Sequence, residues 1–527
     1  MNEPDFDVIV VGAGPAGLTL ANLLGTQGVR TLLIEKDTGL SGQPKALNID
    51  DEFFRLLAAV GLGPAVSAHA KFPISYDYVS PIGLNLGHVQ GRWTEHNFPN
   101  RAATFQPEFE AILAEGARAS GAVQLRFDRA LVAFEQDAHG VRATARAADG
   151  REERYAARYL VGADGAHSAC RRLLGLSFDE VDPFDVRHVV VDVRDDIDPS
   201  PLALTRMGWR RNFFSMPAPN GRRFEFSLRA GESAEFALAD DTLRQWFRPY
   251  RDYDRLDIIR KVVHTFRARI VPRLSVGRVF LIGDAAHLMP VFGSQGMNSG
   301  ARDANNLGWK LLRVLRHGAD PAVLDSYHAE RWDAVRKTVR MATLNGRLQA
   351  VKSPPMSLLR DLVFGVLRLV PPASRYIREM RYVPKAFLRS ALVSPGTETG
   401  RAHELVGRLL PNPEVRFEGR KATLDEAAGL RFAVIGVAGA TPHAGVDRIA
   451  AALGAARIVL VAGEDAPRPG AAGAAIAASA DARARPLLQH YAGQWLLVRP
   501  DRVVACAGTA EAFVQRAEAL LPALGGR

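Results

Sequence analysis

Cysteine is almost missing from the 527 residues: Cys170 and Cys506 stand far apart, in no Cys-x-x-Cys or Cys/His spacing. That excludes a disulfide framework, a structural zinc centre and a dithiol exchange site. No metal ligand set is expected. No stretch approaches eighteen uninterrupted apolar residues, so no membrane-spanning helix is expected, and the acidic start Met1-Asn2-Glu3-Pro4-Asp5 lacks the basic head of a secretory signal. A cytoplasmic chain is the expectation. Long runs of like charge are missing as well. The net charge of +10 is spread over scattered residues and pairs such as Arg171-Arg172 and Arg222-Arg223, which reads as an Arg-rich surface and not as a nucleic-acid tract. What is present is 47% hydrophobic residues over a length that allows two to four domains with real cores.

The apolar run Phe6 to Val11 reads as a buried parallel strand and is followed at once by Gly12-Ala13-Gly14-Pro15-Ala16-Gly17. A helix with Leu18, Ala21 and Leu24 comes next, then a strand from Thr31 to Ile34 ending at Glu35 and Lys36. This is a dinucleotide fingerprint. Gly12 permits the tight turn, Gly14 lets a pyrophosphate reach the helix N-terminus, Gly17 lets helix and strand approach, and Glu35 lies where an acid takes ribose hydroxyls. An acid there disfavours a 2′-phosphate, so the resident nucleotide is expected to be FAD or NAD.

Two more strand ends carry an Asp: Tyr159 to Ala163 before Asp164-Gly165, and Val279 to Gly283 before Asp284. An Asp at the C-terminal end of a parallel strand points into the crevice where open α/β sheets bind ligands. After Asp284, Pro290 to Gln295 forms a loop, and a helix beginning near Gly296, Met297 and Asn298 offers free N–H groups and partial positive charge to an electron-rich ring. Lys45 follows Pro44 in an extended loop, and Gln106-Pro107 opens a helix. Phe72 to Trp93 is aromatic-rich and reads as a hairpin excursion.

From Val186 to Leu228 the pattern changes to period-two strands with a Pro219-Asn220-Gly221 turn, an inserted antiparallel sheet able to roof a substrate. Phe213, Ser215 and Pro217 share one face of their strand, and Arg223 and Glu225 share one face of the next. Period alone leaves open which face meets the site, and the phenylalanines read equally well as core. Further on, Leu358, Leu359, Leu362, Val363, Val366, Leu367 and Val370 form a wide apolar stripe, with Arg360, Asp361 and Arg368 as a thin polar face. Packing against the main body or a partner subunit is expected of it, with a membrane-surface helix as the alternative. Past about residue 395 a second α/β pattern begins, in which Pro467 to Ala484 reads as a loose loop or short helix.

The three glycine- and aspartate-bearing motifs, in this order and spacing, resemble the group A flavoprotein monooxygenases. The resemblance extends through Pro44-Lys45-Ala46, Gln106-Pro107, Arg223-Phe224-Glu225-Phe226, Gln295 to Gly300 and Glu330-Arg331, and is strongest to the 3-(3-hydroxyphenyl)propionate, phenol and polyketide hydroxylase branch. It implies an α/β fold: a Rossmann-like FAD-binding domain (1–70, 101–185 and 272–345), an inserted substrate-binding sheet domain (71–100 and 186–271), a helical connection (346–400) and a thioredoxin-like domain without Cys-x-x-Cys (401–527).

By the same resemblance Gly12, Gly14, Pro15, Ala16, Gly17, Glu35 and Lys36 serve the ADP half of FAD. Lys45 and Gln106 lie near the pyrophosphate and ribityl chain, and Asp164 belongs to a motif serving both FAD and nicotinamide. Asp284 takes the ribityl hydroxyls, Pro290 lines the flavin, and the backbone of Gly296, Met297 and Asn298 holds its pyrimidine edge. Two residues depart from the family: Lys45 replaces the usual Arg, and Ser294 replaces a Gly. Phe213, Ser215, Pro217, Arg223, Glu225 and Pro290 are the expected substrate residues, and no catalytic residue is assigned. His188, His264 and His287 read as structural.

The implied activity is hydroxylation of an aromatic ring through a flavin C4a-hydroperoxide, with FAD resident, NADPH or NADH as transient donor and O2 as co-substrate. A homodimer stays open, as do two alternatives: a flavin dehydrogenase or oxidase that inserts no oxygen, and a flavin-bearing interaction protein.

Overall fold

Uninterrupted apolar runs build the central sheet, because a strand covered on both faces has no use for polar alternation. In the computed structural model, which describes residues 4–194, 200–384, 387–395, 404–463 and 475–526, Phe6–Val11 lies between Glu152–Gly162 and Thr31–Ile34. All run parallel, with Val10 opposite Val161 on one side and Leu33 on the other. Val279–Leu281 pairs with Glu152–Gly162, and Val123–Arg126 with Thr31–Ile34, so five parallel strands end along one edge. Helices Pro15–Gly25 and Gly296–His317 pack on each other over this sheet, close enough that a Cβ on Gly308 would lie 3.3 Å from Leu23.

The inserted sheet has seven strands, in the order 257–266, 186–194, 221–227, 213–218, 202–206, 75–79 and 85–89, so the Phe72 to Trp93 excursion and the later insertion build one surface. Its two faces are now distinguishable. Val189, Val191, Phe213, Phe224 and Phe226 form an outer core beneath Leu243 and Phe247 of helix Asp240–Phe247, with Phe213 stacked on Tyr250 at 3.6 Å. Ser215 lies opposite Phe224, and Pro217 opposite Arg222, on that same outer face. Phe214, Met216, Arg223 and Glu225 point the other way, toward the FAD-binding part, where Phe214 and Met216 pack with Leu47, Tyr76 and Ala103.

Helix Pro354–Leu369 is inverted relative to the usual amphipathic arrangement. Its buried residues are Ser357, Arg360 and Asp361, with Arg360 pairing Asp361 and donating to the Met207 carbonyl at 2.8 Å. The apolar stripe faces outward, with Leu358 61%, Leu362 64% and Leu369 79% exposed. Of the readings for this stripe, packing on the main body does not hold among the described residues.

The C-terminal part is a seven-stranded mixed sheet with helices Ala444–Leu453 and Ala510–Leu524. The stretch read as a loose loop contains a strand, Ala475–Ser479, parallel to Ala456–Ala462; its Ala-rich composition hid the β pattern, and burial between two strands supplies what propensity does not. Residues 467–474 and the 400/401 boundary lie outside the described residues. The C-terminal unit shares one continuous apolar core with the FAD-binding part, through Trp309, Phe432, Leu453 and Phe513. A buried ionic joint reinforces it. Arg499 takes Glu330 in a two-pronged pair at 2.6 and 2.9 Å, Lys310 reaches the same carboxylate at 2.9 Å, and Arg55 pairs with Asp425 at 2.5 Å.

Candidate active site

The three motif loops meet at the edge where the parallel strands end. Gly12 has φ +107°, and a Cβ there would lie 2.5 Å from the Ala163 carbonyl and 2.9 Å from the Asp164 Cα, so the fingerprint turn is pressed onto the second strand end. A Cβ on Gly17 would lie 2.1 Å from the Gly12 carbonyl, and one on Gly283 would lie 3.1 Å from Ala16. Gly14 is different. Nothing lies within 4 Å of the position its Cβ would take, so the start of helix Pro15–Gly25 opens onto free space. Glu35 reaches back across this opening to accept from the Ala13 amide at 2.8 Å, while Lys36 is exposed.

Asp164 and Asp284, alike in sequence, have different surroundings. The Asp164 carboxylate accepts from Ser168 Oγ at 2.5 Å and from the Ala169 and Cys170 amides at 2.7 and 3.0 Å, which caps the short helix Ala169–Leu173. Arg171 then ties this turn to the third loop, donating to the Ala285 carbonyl at 3.1 Å. Asp284 accepts no hydrogen bond among the described residues, and although protein surrounds it, its side chain is exposed. It lines an open crevice. The protein walls around it displace bulk water and raise its carboxyl above the ordinary range, opposed by His287, His264 and Lys45.

A carboxylate without donors beside an uncapped helix start is what a polyol chain and a pyrophosphate would fill. These residues therefore fit FAD: Gly14 to Gly17 for the pyrophosphate, Glu35 for ribose hydroxyls and Asp284 for the ribityl chain.

The loop after Asp284 is held from behind. Asp303, fully buried, accepts from the Gly283 amide at 3.1 Å, from His287 Nε2 at 2.7 Å and from Arg331 Nε at 2.8 Å. Burial pushes the Asp303 carboxyl up, but His287 and Arg331 outweigh it and hold it below the usual range. His287 is thereby a loop brace. Pro290 is buried, and Ser294 adopts φ +55°, the left-handed conformation that glycine takes without cost. Helix Gly296–His317 makes its first backbone bond from the Ser299 amide, so the amides of Gly296, Met297 and Asn298 stay unpaired among the described residues. The Asn298 side chain holds Asp50 and Ser294, and Arg302 bridges Glu52, Gln295 and Asp50.

Lys45 and Gln106 belong to a neighbouring brace. Gln106 accepts from the Ala46 amide at 2.5 Å and donates to Glu110 at 2.7 Å, while the Lys45 side chain is exposed near Asp284. Arg223 spans from the inserted sheet to this loop: it pairs with Asp192 at 2.7 Å and donates to the carbonyls of Lys45 and Pro44. Glu225 pairs with His188 at 3.0 Å, and the His188 ring packs edge-on to Phe292 of the flavin loop. Arg223 and Glu225 thus face the crevice side of the sheet, and Phe213, Ser215 and Pro217 face away. The inner face opposite the loop presents Phe214, Met216 and Tyr76, together with Arg101, whose Nη2 donates to the Gly293 carbonyl at 3.3 Å. Sequence reading missed Arg101 and Tyr76; a charged residue just before Gln106-Pro107 was the one signal of the former.

Comparison with known proteins agrees with this geometry. A family described as FAD binding domain matches residues 5–342, and one described as HcaD C-terminal domain matches residues 407–523. The 3-(3-hydroxy-phenyl)propionate/3-hydroxycinnamic acid hydroxylase of Comamonas testosteroni is 38% identical over 401 residues, covering 76% of this chain and 68% of that protein. The enzyme of the same name from Mycolicibacterium smegmatis is 37% identical over 442 residues, covering 82% and 78%. Among solved structures, the flavin-dependent monooxygenase PieE with FAD and substrate superposes with a TM-score of 0.81 at 23% identity, over 99% of this chain and 100% of that one. Anhydrotetracycline hydroxylase OxyS of Streptomyces rimosus gives 0.74 at 28%, over 99% of both chains. The protein belongs to the FAD-binding family of flavin-dependent aromatic monooxygenases and carries that family's appended thioredoxin-like domain.

Proposed function

We propose that this chain inserts one atom of O2 into a phenolic ring held between the Pro290 loop and the inner face of the inserted sheet, with NADH or NADPH as transient donor. The observation that carries the reading is Asp284, a carboxylate without internal donors at the mouth of an open crevice formed by three converging loops. FAD, when bound there, supplies the passage of electrons from the nicotinamide to oxygen and the delivery of one oxygen atom to the ring.

The chain's own residues do the positioning. The unpaired amides of Gly296, Met297 and Asn298 place partial positive charge where an anionic ring would lie. Phe214, Met216 and Tyr76 supply an apolar wall that excludes water, and the Arg223 bridge fixes the sheet over the Lys45 loop. Glu35 at the ribose position supports FAD in preference to a 2′-phosphorylated nucleotide. The outward apolar face of Pro354–Leu369 fits a second copy of the chain, so the working form is a homodimer, placed in the cytoplasm.

The test is turnover under labelled dioxygen. Purified protein is expected to be yellow, an aromatic substrate to accelerate NAD(P)H oxidation, and the product to gain one labelled oxygen. A product oxidised without added label would transfer the reading to a dehydrogenase or oxidase.

A further inference from the structure

Asn48 is 3% exposed, yet neither its Nδ2 nor its Oδ1 has a hydrogen-bond partner among the described residues. Other buried amides are anchored. Asn22 donates to the Leu18 and Leu113 carbonyls, Asn298 holds Asp50 and Ser294, and Asn306 donates to Glu330 and accepts from Lys310. Burying an amide with both ends unbonded is costly, and such a group calls for a partner from outside the chain.

Its backbone is fixed from both sides. The Asn48 carbonyl accepts from Asn298 Nδ2 at 3.3 Å, and the Asp50 amide donates to Asn298 Oδ1 at 3.0 Å. These bonds pin the short strand Asn48–Ile49 to the first turn of helix Gly296–His317, whose leading amides are unpaired among the described residues. On its other side the strand pairs with Ala102–Thr104, Asn48 opposite Ala103 and Ile49 opposite Ala102. Ile49 and Ala102 join the core of the FAD-binding part, so by strand alternation Asn48 and Ala103 turn the other way, and Ala103 packs with Tyr76 and Met216 of the inserted sheet. The Asn48 amide therefore lies in the apolar wall between the flavin loop and the roof, beside the space given above to the phenolic ring.

We propose that the Asn48 side-chain amide holds the ring hydroxyl of the substrate and so selects hydroxylated over unhydroxylated rings. With Oδ1 turned to the ring it accepts from a phenol O–H, and with Nδ2 turned to the ring it donates to a phenolate oxygen. Neither orientation breaks an internal bond, because neither end makes one. The same side chain thus serves the ring before and after it loses its proton. This rests on the aromatic-hydroxylase reading above and adds to it the residue that recognises the hydroxyl.

The experiment uses the FAD-loaded full chain with two probes that differ only in a methyl group for the hydroxyl, 3-propylphenol and 3-propyltoluene, followed by flavin absorbance titration and, for the phenol, by NAD(P)H oxidation. The unaltered protein should bind the phenol more tightly. Asn48→Leu, similar in shape, should raise Kd for 3-propylphenol about 5-fold, the net worth of one hydrogen bond, and change that for 3-propyltoluene less than about 2-fold, since the ring contacts are kept. Without a probe the same variant should melt no lower than the unaltered protein, because it removes a buried amide that had no partner; a structural role would move this readout the other way. A lower melting temperature, equal weakening of both probes, no preference for the phenol in the unaltered protein, or weakened flavin binding with an unchanged ratio of the two probes overturns the proposal and leaves the hydroxylase reading intact. A flavin-loaded protein that neither probe nor any other phenol stimulates overturns both. Should Asn48→Leu retain no flavin, Asn48→Ala decides: a reduced phenol-to-toluene preference supports the proposal and an unchanged one overturns it.

Discussion

Asp284 and Asp164 show what one side chain's surroundings add to its identity. Both end an apolar strand before small residues, and nothing in the sequence separates them. Hydrogen bonding does: Asp164 takes the Ser168 hydroxyl on one oxygen and two helix-start amides on the other, and Asp284 accepts nothing among the described residues. Asp284→Ala should therefore weaken FAD binding by roughly 1.5–3 kcal/mol, the worth of a charge-assisted hydrogen bond, without lowering the melting temperature of the apoprotein. Flavin fluorescence on dilution reads the first and calorimetry the second. Asp164→Ala should do the reverse, destabilising the fold by about 1 kcal/mol through the lost cap. At Ser294 the departure from the family has a conformational cost, because φ +55° disfavours a side chain by about 1–2 kcal/mol. Ser294→Gly should raise the denaturation midpoint modestly, part of the gain being offset by the greater freedom of glycine in the unfolded chain.

At the level of elements, the strand–glycine–helix units were legible because their residues answer to local geometry. Gly17 must be glycine where a Cβ would lie 2.1 Å from a carbonyl. The fully apolar runs had to be parallel strands covered on both faces. The roof was only half legible. Alternation sorted Phe213, Ser215 and Pro217 from Phe214 and Met216, but the choice of inner face depends on helix Asp240–Phe247, which packs on one side from 20 residues or more downstream. Arg101 escaped notice for a related reason, since the Tyr76 ring it lies over and the Gly293 carbonyl it reaches come from distant stretches of the chain. The joint between helix Gly296–His317 and the C-terminal sheet carries its own pH signature. Burial lowers Lys310 to about 8, with Glu330 raising it and Arg499 lowering it further. The unfolded chain, with an ordinary lysine value near 10.5, binds the extra proton between those two values, so stability should rise with pH across that window. Urea midpoints at pH 7.5 and 9.5 should show the increase, and Lys310→Met should remove it.

On the scale of the whole molecule, two surfaces have opposite fates. The C-terminal unit resembles a separable module in sequence, set off by Pro- and Gly-rich stretches. Yet it completes the core around Trp309 and buries Glu330, Lys310, Arg499 and Asp501 together. The outer face of Pro354–Leu369 carries Leu358, Leu359, Leu362 and Leu369 into solvent while its own polar side is satisfied inward. A polar helix face turned inward and an apolar one turned outward make sense when a second surface covers the latter. Leu358→Glu with Leu362→Glu should convert a dimer to a monomer in light scattering and leave flavin content unchanged, since both side chains point away from the crevice. Removing residues 404–527 should behave otherwise. It leaves Lys310 and Glu330 with one another but strips Arg499 from the pair and bares the apolar flank of helix Gly296–His317, whose first turn forms the flavin loop. The expected product of that truncation is insoluble or flavin-free protein; a soluble, yellow fragment with full flavin content would mean that the joint stabilises the C-terminal unit alone.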